Sequence, residues 1–156
     1  MQRKVKFHKE RQMTVEKIHH GKQLLSERGY DAEGQLCYER LFNYILSDGN
    51  EERVTFYHEN GARKFEVNFK NNKHNGLFTI WYENGRLLMR KSIINDTVHG
   101  TCSEWNKKGK LMFEYTYNNG ALADTKFYAI NKFVDRELFE SRDDLLDPEE
   151  RILMFD

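Results

Sequence analysis

The 156 residues are enough for one domain with a buried core and short for two. Their 25 Lys and Arg cancel 25 Asp and Glu, which argues against a dedicated nucleic-acid binder. Hydrophobic residues make up 38% and aromatic residues 13%, a mixture that suits half-buried strands, and no stretch approaches the roughly 20 apolar residues of a membrane-spanning helix.

Residues 1–24 form a basic N-terminal segment, with seven Lys or Arg and two Glu between Met1 and Gln23. Arg3, Lys4, Lys6, Lys9 and Arg11 read first as a solvated strand or frayed end. Contact with an anionic membrane surface is the alternative, each basic side chain there being worth about 1 kcal/mol. The segment lacks the apolar run of a signal peptide, and Cys37 and Cys102 lie far apart with no CxxC or Cys/His ligand cluster. A cytoplasmic chain with reduced thiols, no metal and no cofactor is expected.

Residues 25–132 read as a repeat array. The strings RVTFYHENG, LFTIWYENG and TCSEWNKKG end at Gly61, Gly85 and Gly109, 24 residues apart, and a degenerate copy ends at Gly34, with its three extra residues assigned to the turn near Asp48 and Gly49. Tyr30, Tyr57, Trp81 and Trp105 precede these glycines by four positions. A second set of turn pairs recurs in step: Asn71 with Asn72, Asn95 with Asp96, and Asn119 with Gly120. Asn60-Gly61 and Asn84-Gly85 predict type I′ hairpin turns, with φ > 0 at both central residues. Two turns per repeat give an antiparallel meander of about eight or nine strands. The expected fold is therefore mainly β, an elongated antiparallel meander of tandem β-hairpin repeats, with an ordinary β-sandwich as the competing reading.

Residues 133–156 form an acidic extension with three Arg against nine Asp and Glu. Leu138, Phe139, Leu145 and Leu146 share one face of a candidate helix, and Asp147-Pro148-Glu149-Glu150 reads as the capped start of a second. A small helical cap over the last hairpin is expected, with a partner-docking arm as the alternative.

A two-residue Asn84-Gly85 loop would place Trp81 opposite Leu88 and Ile80 opposite Met89. Alternation then puts Phe78, Ile80, Tyr82, Leu87 and Met89 on an apolar face with Val54, Phe56, Phe65, Val67, Cys102, Phe113 and Tyr115. The other face carries Tyr57, Trp81 and Trp105 among Lys64, Arg90 and Glu114. Aromatics flanked by charged and small polar groups have the composition of interface hot spots, so these six are the candidate partner-binding residues. Simple stacking of the rings along the sheet would explain them equally well. A longer turn would shift the pairing by one and could exchange the faces.

The stretch from Glu52 to Gly120, with its Glu-Asn-Gly turns and aromatic pair Trp81-Tyr82, resembles the MORN-repeat variant of bacterial YwqK-type antitoxins. It departs from that pattern at Asn72 and Asp96, where glycine is usual, and at Trp105-Asn106, where the second aromatic is missing. The resemblance implies a β-hairpin scaffold that contacts another protein, in some settings a toxin encoded nearby. Other MORN arrays are structural scaffolds or are implicated in membrane association, which supplies the alternative function.

Catalysis is not expected. His74 and His99 fall at nearly equivalent loop positions, which suggests turn chemistry, and no G-x-S-x-G, H-E-x-x-H or phosphate-binding glycine loop occurs.

Overall fold

The alternation of apolar and polar residues between turns folds into one antiparallel sheet of thirteen strands over residues 1–43 and 50–128, which the computed structural model describes. The strands are β1 (Gln2–His8), β2 (Met13–His20), β3 (Gln23–Tyr30), β4 (Leu36–Asn43), β5 (Glu51–Tyr57), β6 (Arg63–Lys70), β7 (Lys73–His74), β8 (Gly76–Trp81), β9 (Leu87–Ile94), β10 (Thr97–Val98), β11 (Gly100–Trp105), β12 (Leu111–Asn118) and β13 (Ala121–Phe127). They pair in sequence order as a meander, except that the two-residue strands β7 and β10 pair only with β6 and β9. The count exceeds the expectation for two reasons. The basic segment supplies β1 and β2 to the same sheet, and β7 and β10 flank the second turn of their repeats. The helices expected within 133–156 and the insertion near Asp48 and Gly49 lie outside the described residues.

The type I′ geometry expected at Asn60-Gly61 and Asn84-Gly85 occurs instead in the second set of turns. At Asn84-Gly85 the Tyr82 N–H donates to the Arg86 carbonyl at 2.8 Å and the Gly85 N–H to the Tyr82 carbonyl at 2.9 Å, which makes a three-residue loop. Gly85 is left-handed at φ 78° and Asn84 is not. This is a type I turn closed by a left-handed glycine. The same bond pair recurs at Asp31–Gln35, His58–Ala62 and Asn106–Lys110. Positive φ at both central residues occurs instead in the second turns: Asn71 and Asn72 at 52° and 63°, Asn95 and Asp96 at 48° and 68°, Asn119 and Gly120 at 47° and 83°.

The longer loop moves the pairing by one residue, placing Trp81 opposite Leu87 and not Leu88. A bulge between Ile80 and Trp81 then restores Ile80 opposite Met89, because Leu88 is the extra residue on β9. Equivalent irregularities follow Gly29, Phe56 and Glu104. Two one-residue offsets cancel beyond the bulge, so the expected faces survive there although the expected turn does not; Leu87, expected on the apolar face, instead lies opposite Trp81 and shares its side.

On the apolar face, directly opposed residues form a row across the sheet: Val15, Gly29, Tyr38, Phe56, Phe65, Ile80, Met89, Glu104, Phe113 and Phe127. Ring centroids of Tyr38 and Phe56 lie 5.7 Å apart, and those of Phe56 and Phe65 lie 4.4 Å apart. Phe65 and Val67 are each only 1% exposed. The principal core joins Tyr38, Val54, Phe56, Phe65, Val67, Phe78 and Ile93, and a second cluster joins Cys102, Phe113 and Tyr115. Glu104, buried at the position that Phe56 and Ile80 hold in earlier repeats, stands where the core divides. Tyr82 belongs to neither cluster. Its hydroxyl reaches forward to the Trp105 carbonyl at 2.9 Å, tying one repeat to the next.

Candidate partner-binding face

The opposite face is organised by a second row, displaced by one residue along each strand. Val5, Glu16, Arg28, Glu39, Thr55, Glu66, Thr79, Arg90, Ser103, Glu114 and Lys126 lie successively opposite one another from β1 to β13. All but the first are polar, and neighbouring side chains engage at two places along the row. Arg28 Nε donates to Glu39 Oε1 at 2.7 Å, and the Thr55 hydroxyl donates to Glu66 Oε2 at 3.2 Å. Such opposed pairs are the unit of sheet stabilisation.

The six candidate residues fall on this face. Arg90 and Glu114 are members of the row, Lys64 lies two positions before Glu66, and Tyr57, Trp81 and Trp105 each lie two positions beyond Thr55, Thr79 and Ser103 on the same strand. They differ in accessibility. Arg90 is exposed, whereas Tyr57, Lys64, Trp105 and Glu114 are half-buried. Trp81 is 8% exposed, with the Arg63 guanidinium 4.4 Å from its ring centroid, so its aromatic face is already occupied. A cation over indole holds that ring in place. Tyr128 donates from its hydroxyl to Glu114 Oε2. Tyr57 and Trp105 therefore keep more of their rings accessible than Trp81 does, and Trp105 stands on the strand next to that of Arg90.

The first five strands carry a charged network that sequence reading did not assemble. Arg3 bonds Glu16, Lys17 Nζ lies 2.7 Å from Glu27, Arg28 bonds Glu39, and Arg40 bonds Glu52. Tyr30 donates to Glu16 at 3.1 Å and Tyr38 to Glu27 at 2.7 Å. Burial pushes the Glu16 carboxyl up, yet hydrogen bonds from Arg3 and Tyr30 and the charges of Arg3 and Arg28 outweigh it and hold its pKa below the ordinary value. Glu27 is likewise raised by burial and lowered, on balance, by Lys17 and Tyr38. At Glu52 burial prevails over Arg40 and the pKa is raised. These partners are 10 to 14 positions apart in sequence, across loops, so only the pairing register brings them together.

A groove of about 520 Å³ beside β4, β5 and β6 is lined by Leu41, Phe42, Glu52, Arg53, Phe69 and Lys70 among others. His74 lies beyond it, its ring 4.7 Å from that of Phe69 and its Nδ1 3.3 Å from Asp96 Oδ1. In the next repeat His99 Nδ1 accepts the Asn119 N–H at 3.4 Å. Both histidines thus serve the second turns. Among the described residues no group of three His, Cys, Asp or Glu is placed to hold a metal ion.

Residues 53–71 and 98–119 match the MORN repeat variant family. The sheet carries MORN-type repeats. The matched stretches cover β5 to β6 with the following turn, and β11 to β12 with its flanks, so the family signal coincides with two of the hairpins built on a left-handed glycine. MORN repeats are generally protein- or membrane-binding modules. No curated protein matches the chain. Among solved structures the chain is similar to that titled "Crystal Structure of TarM", at 16% identity and a TM-score of 0.42, over 64% of this chain. The chain spans only 19% of the TarM chain.

Proposed function

We propose that the MORN-type array is a non-catalytic binding module that occludes one protein partner through its polar face, in the manner of an antitoxin or immunity protein. The observation that carries this reading is the row of opposed polar side chains from Glu16 to Lys126, with exposed Arg90 on β9 and half-buried Trp105 on the adjacent β11. A flat charged surface with a few anchored aromatics gives orientation and specificity, while the rings supply the apolar contact. The partner is a cytoplasmic protein, a toxin encoded beside this chain being the first candidate.

Co-expression tests the proposal. A toxic neighbouring gene product should lose its growth inhibition when the wild-type chain is present, and regain it with Arg90→Glu/Trp105→Ala. Rescue by both chains would remove this face from the interface, and rescue by neither would sink the antitoxin reading.

The alternative is a scaffold or membrane-surface adaptor, favoured by the exposure of Arg3, Lys4 and Lys6 on β1. Flotation with anionic vesicles decides it. Attachment led by these cations weakens as salt shortens the Debye length to about 8 Å, and absence of attachment at low salt dismisses it.

A further inference from the structure

Ion pairs cross each successive junction from β1 to β6: Arg3 with Glu16, Lys17 with Glu27, Arg28 with Glu39, Arg40 with Glu52, and Lys70 with Glu51 at 3.9 Å. In the first four pairs the base lies on the earlier strand and the acid on the next, and in the last the order is reversed. The series stops at β1. That strand carries Arg3, Lys4 and Lys6 and no acid, and Lys4 lies directly opposite Lys17, a like-charge pair that costs stability. Gln2 to Phe7 are all exposed, with Val5 at 57% and Phe7 at 54%.

β1 pairs with β2 through seven uninterrupted positions, without the bulges found elsewhere in the sheet, and contains no proline. Among the described residues no strand pairs with its outer edge, a row of backbone donors and acceptors to which an extended chain can add. Side chains alternate across it. Lys4 and Lys6 project on the face of Lys17 and Val15, and Arg3, Val5 and Phe7 on the face of Ile18, Glu16 and Thr14.

We infer that β1 is a second docking edge, taking an extended acidic segment of a partner protein whose carboxylates at alternate positions meet Lys4 and Lys6 and whose intervening apolar residues cover Val5 and Phe7. The added strand sets acids beside Lys4 and Lys6 and relieves the Lys4–Lys17 opposition. The same lysines oppose pairing of β1 with β1 of another copy, since like charges would face each other. This edge lies away from Arg90 on β9 and Trp105 on β11 and does not depend on them.

The probe is a short synthetic peptide alternating Glu with Val, titrated into the full chain at low ionic strength, with amide exchange as the second readout. Binding should protect alternate amides of β1 and weaken as salt rises. Lys4→Glu/Lys6→Glu should bind it about tenfold more weakly and take up the matching Lys and Val peptide instead. Lys4→Gln/Lys6→Gln, which removes charge without adding any, should fall between the two. No binding by the wild-type chain, equal binding by the charge-reversed variant, or protection confined to β9, β11 and β12 would each overturn the proposal. So would self-association through β1 that excludes the peptide, because the edge would then belong to a second copy.

Discussion

The side-chain amide of Asn84 donates to the Lys107 carbonyl at 2.9 Å while its Oδ1 accepts the Arg86 N–H at 3.1 Å. Asn60 does the same one repeat earlier, donating to Glu83 at 2.8 Å and accepting from Ala62 at 3.0 Å. Asparagine is therefore used here as a two-ended staple, shaping its own turn and fastening it to the next. Asn84→Asp keeps the acceptor and loses the donor. It should lower stability by about 1 kcal/mol, read as a shift in the urea midpoint, the net worth of one hydrogen bond. An unchanged midpoint would show that water replaces the bond.

Gly29 lies directly opposite Tyr38, and a Cβ built on Gly29 would come within 2.1 Å of the Tyr38 ring. The ring covers the glycine and is 5% exposed. Gly29→Ala should therefore cost about 1–3 kcal/mol by overpacking. In the Tyr38→Ala background the same change should cost far less, because the clash is gone. A double-mutant cycle measures this, and additive costs would contradict the contact.

Acid should loosen the first three strands. Glu16 and Glu27 have folded pKa values below the ordinary carboxyl value, so each contributes stability that is present above the unfolded pKa and is lost as pH falls through the folded one. Glu52, raised by burial, acts in the opposite sense, its contribution being lost as pH rises through its folded value. Urea unfolding from pH 7 downward should show stability falling below about pH 4.5, and Glu16→Gln/Glu27→Gln should flatten that limb. An acid limb of equal slope in the double variant would place its origin elsewhere.

Trp81 and Trp105 should separate structure from recognition. Trp81, buried under Arg63, is a packing residue, and Trp81→Ala should cost about 3 kcal/mol. Trp105→Ala, at a half-buried site, should cost markedly less in thermal unfolding. Equal losses would mean that both rings serve the fold.

The period, the two turns per repeat and the division of faces were legible because strand alternation and turn residues are local signals. The turn types were not. Asn-Gly reads as a left-handed pair, but at Asn84 the side chain bonds forward to Lys107, and only Gly85 needs positive φ. The six candidate residues were placed on one face through a register that was right beyond the bulge, since the longer loop and the extra Leu88 compensate each other. The burial of Trp81 was hidden because Arg63, which covers it, comes from the preceding hairpin. The network of Glu16, Arg28 and Glu39 was missed for a related reason. It requires β1 and β2 to join the sheet, and a basic, exposed segment gives no apolar signal for that.

Calorimetric titration of the purified chain with the neighbouring gene product, repeated with Arg90→Glu/Trp105→Ala, tests the binding face most directly. The wild type should bind with micromolar or tighter affinity and the variant at least about tenfold more weakly, equivalent to roughly 1.4 kcal/mol, with its urea midpoint close to that of the wild type. Equal affinity for both chains would contradict it.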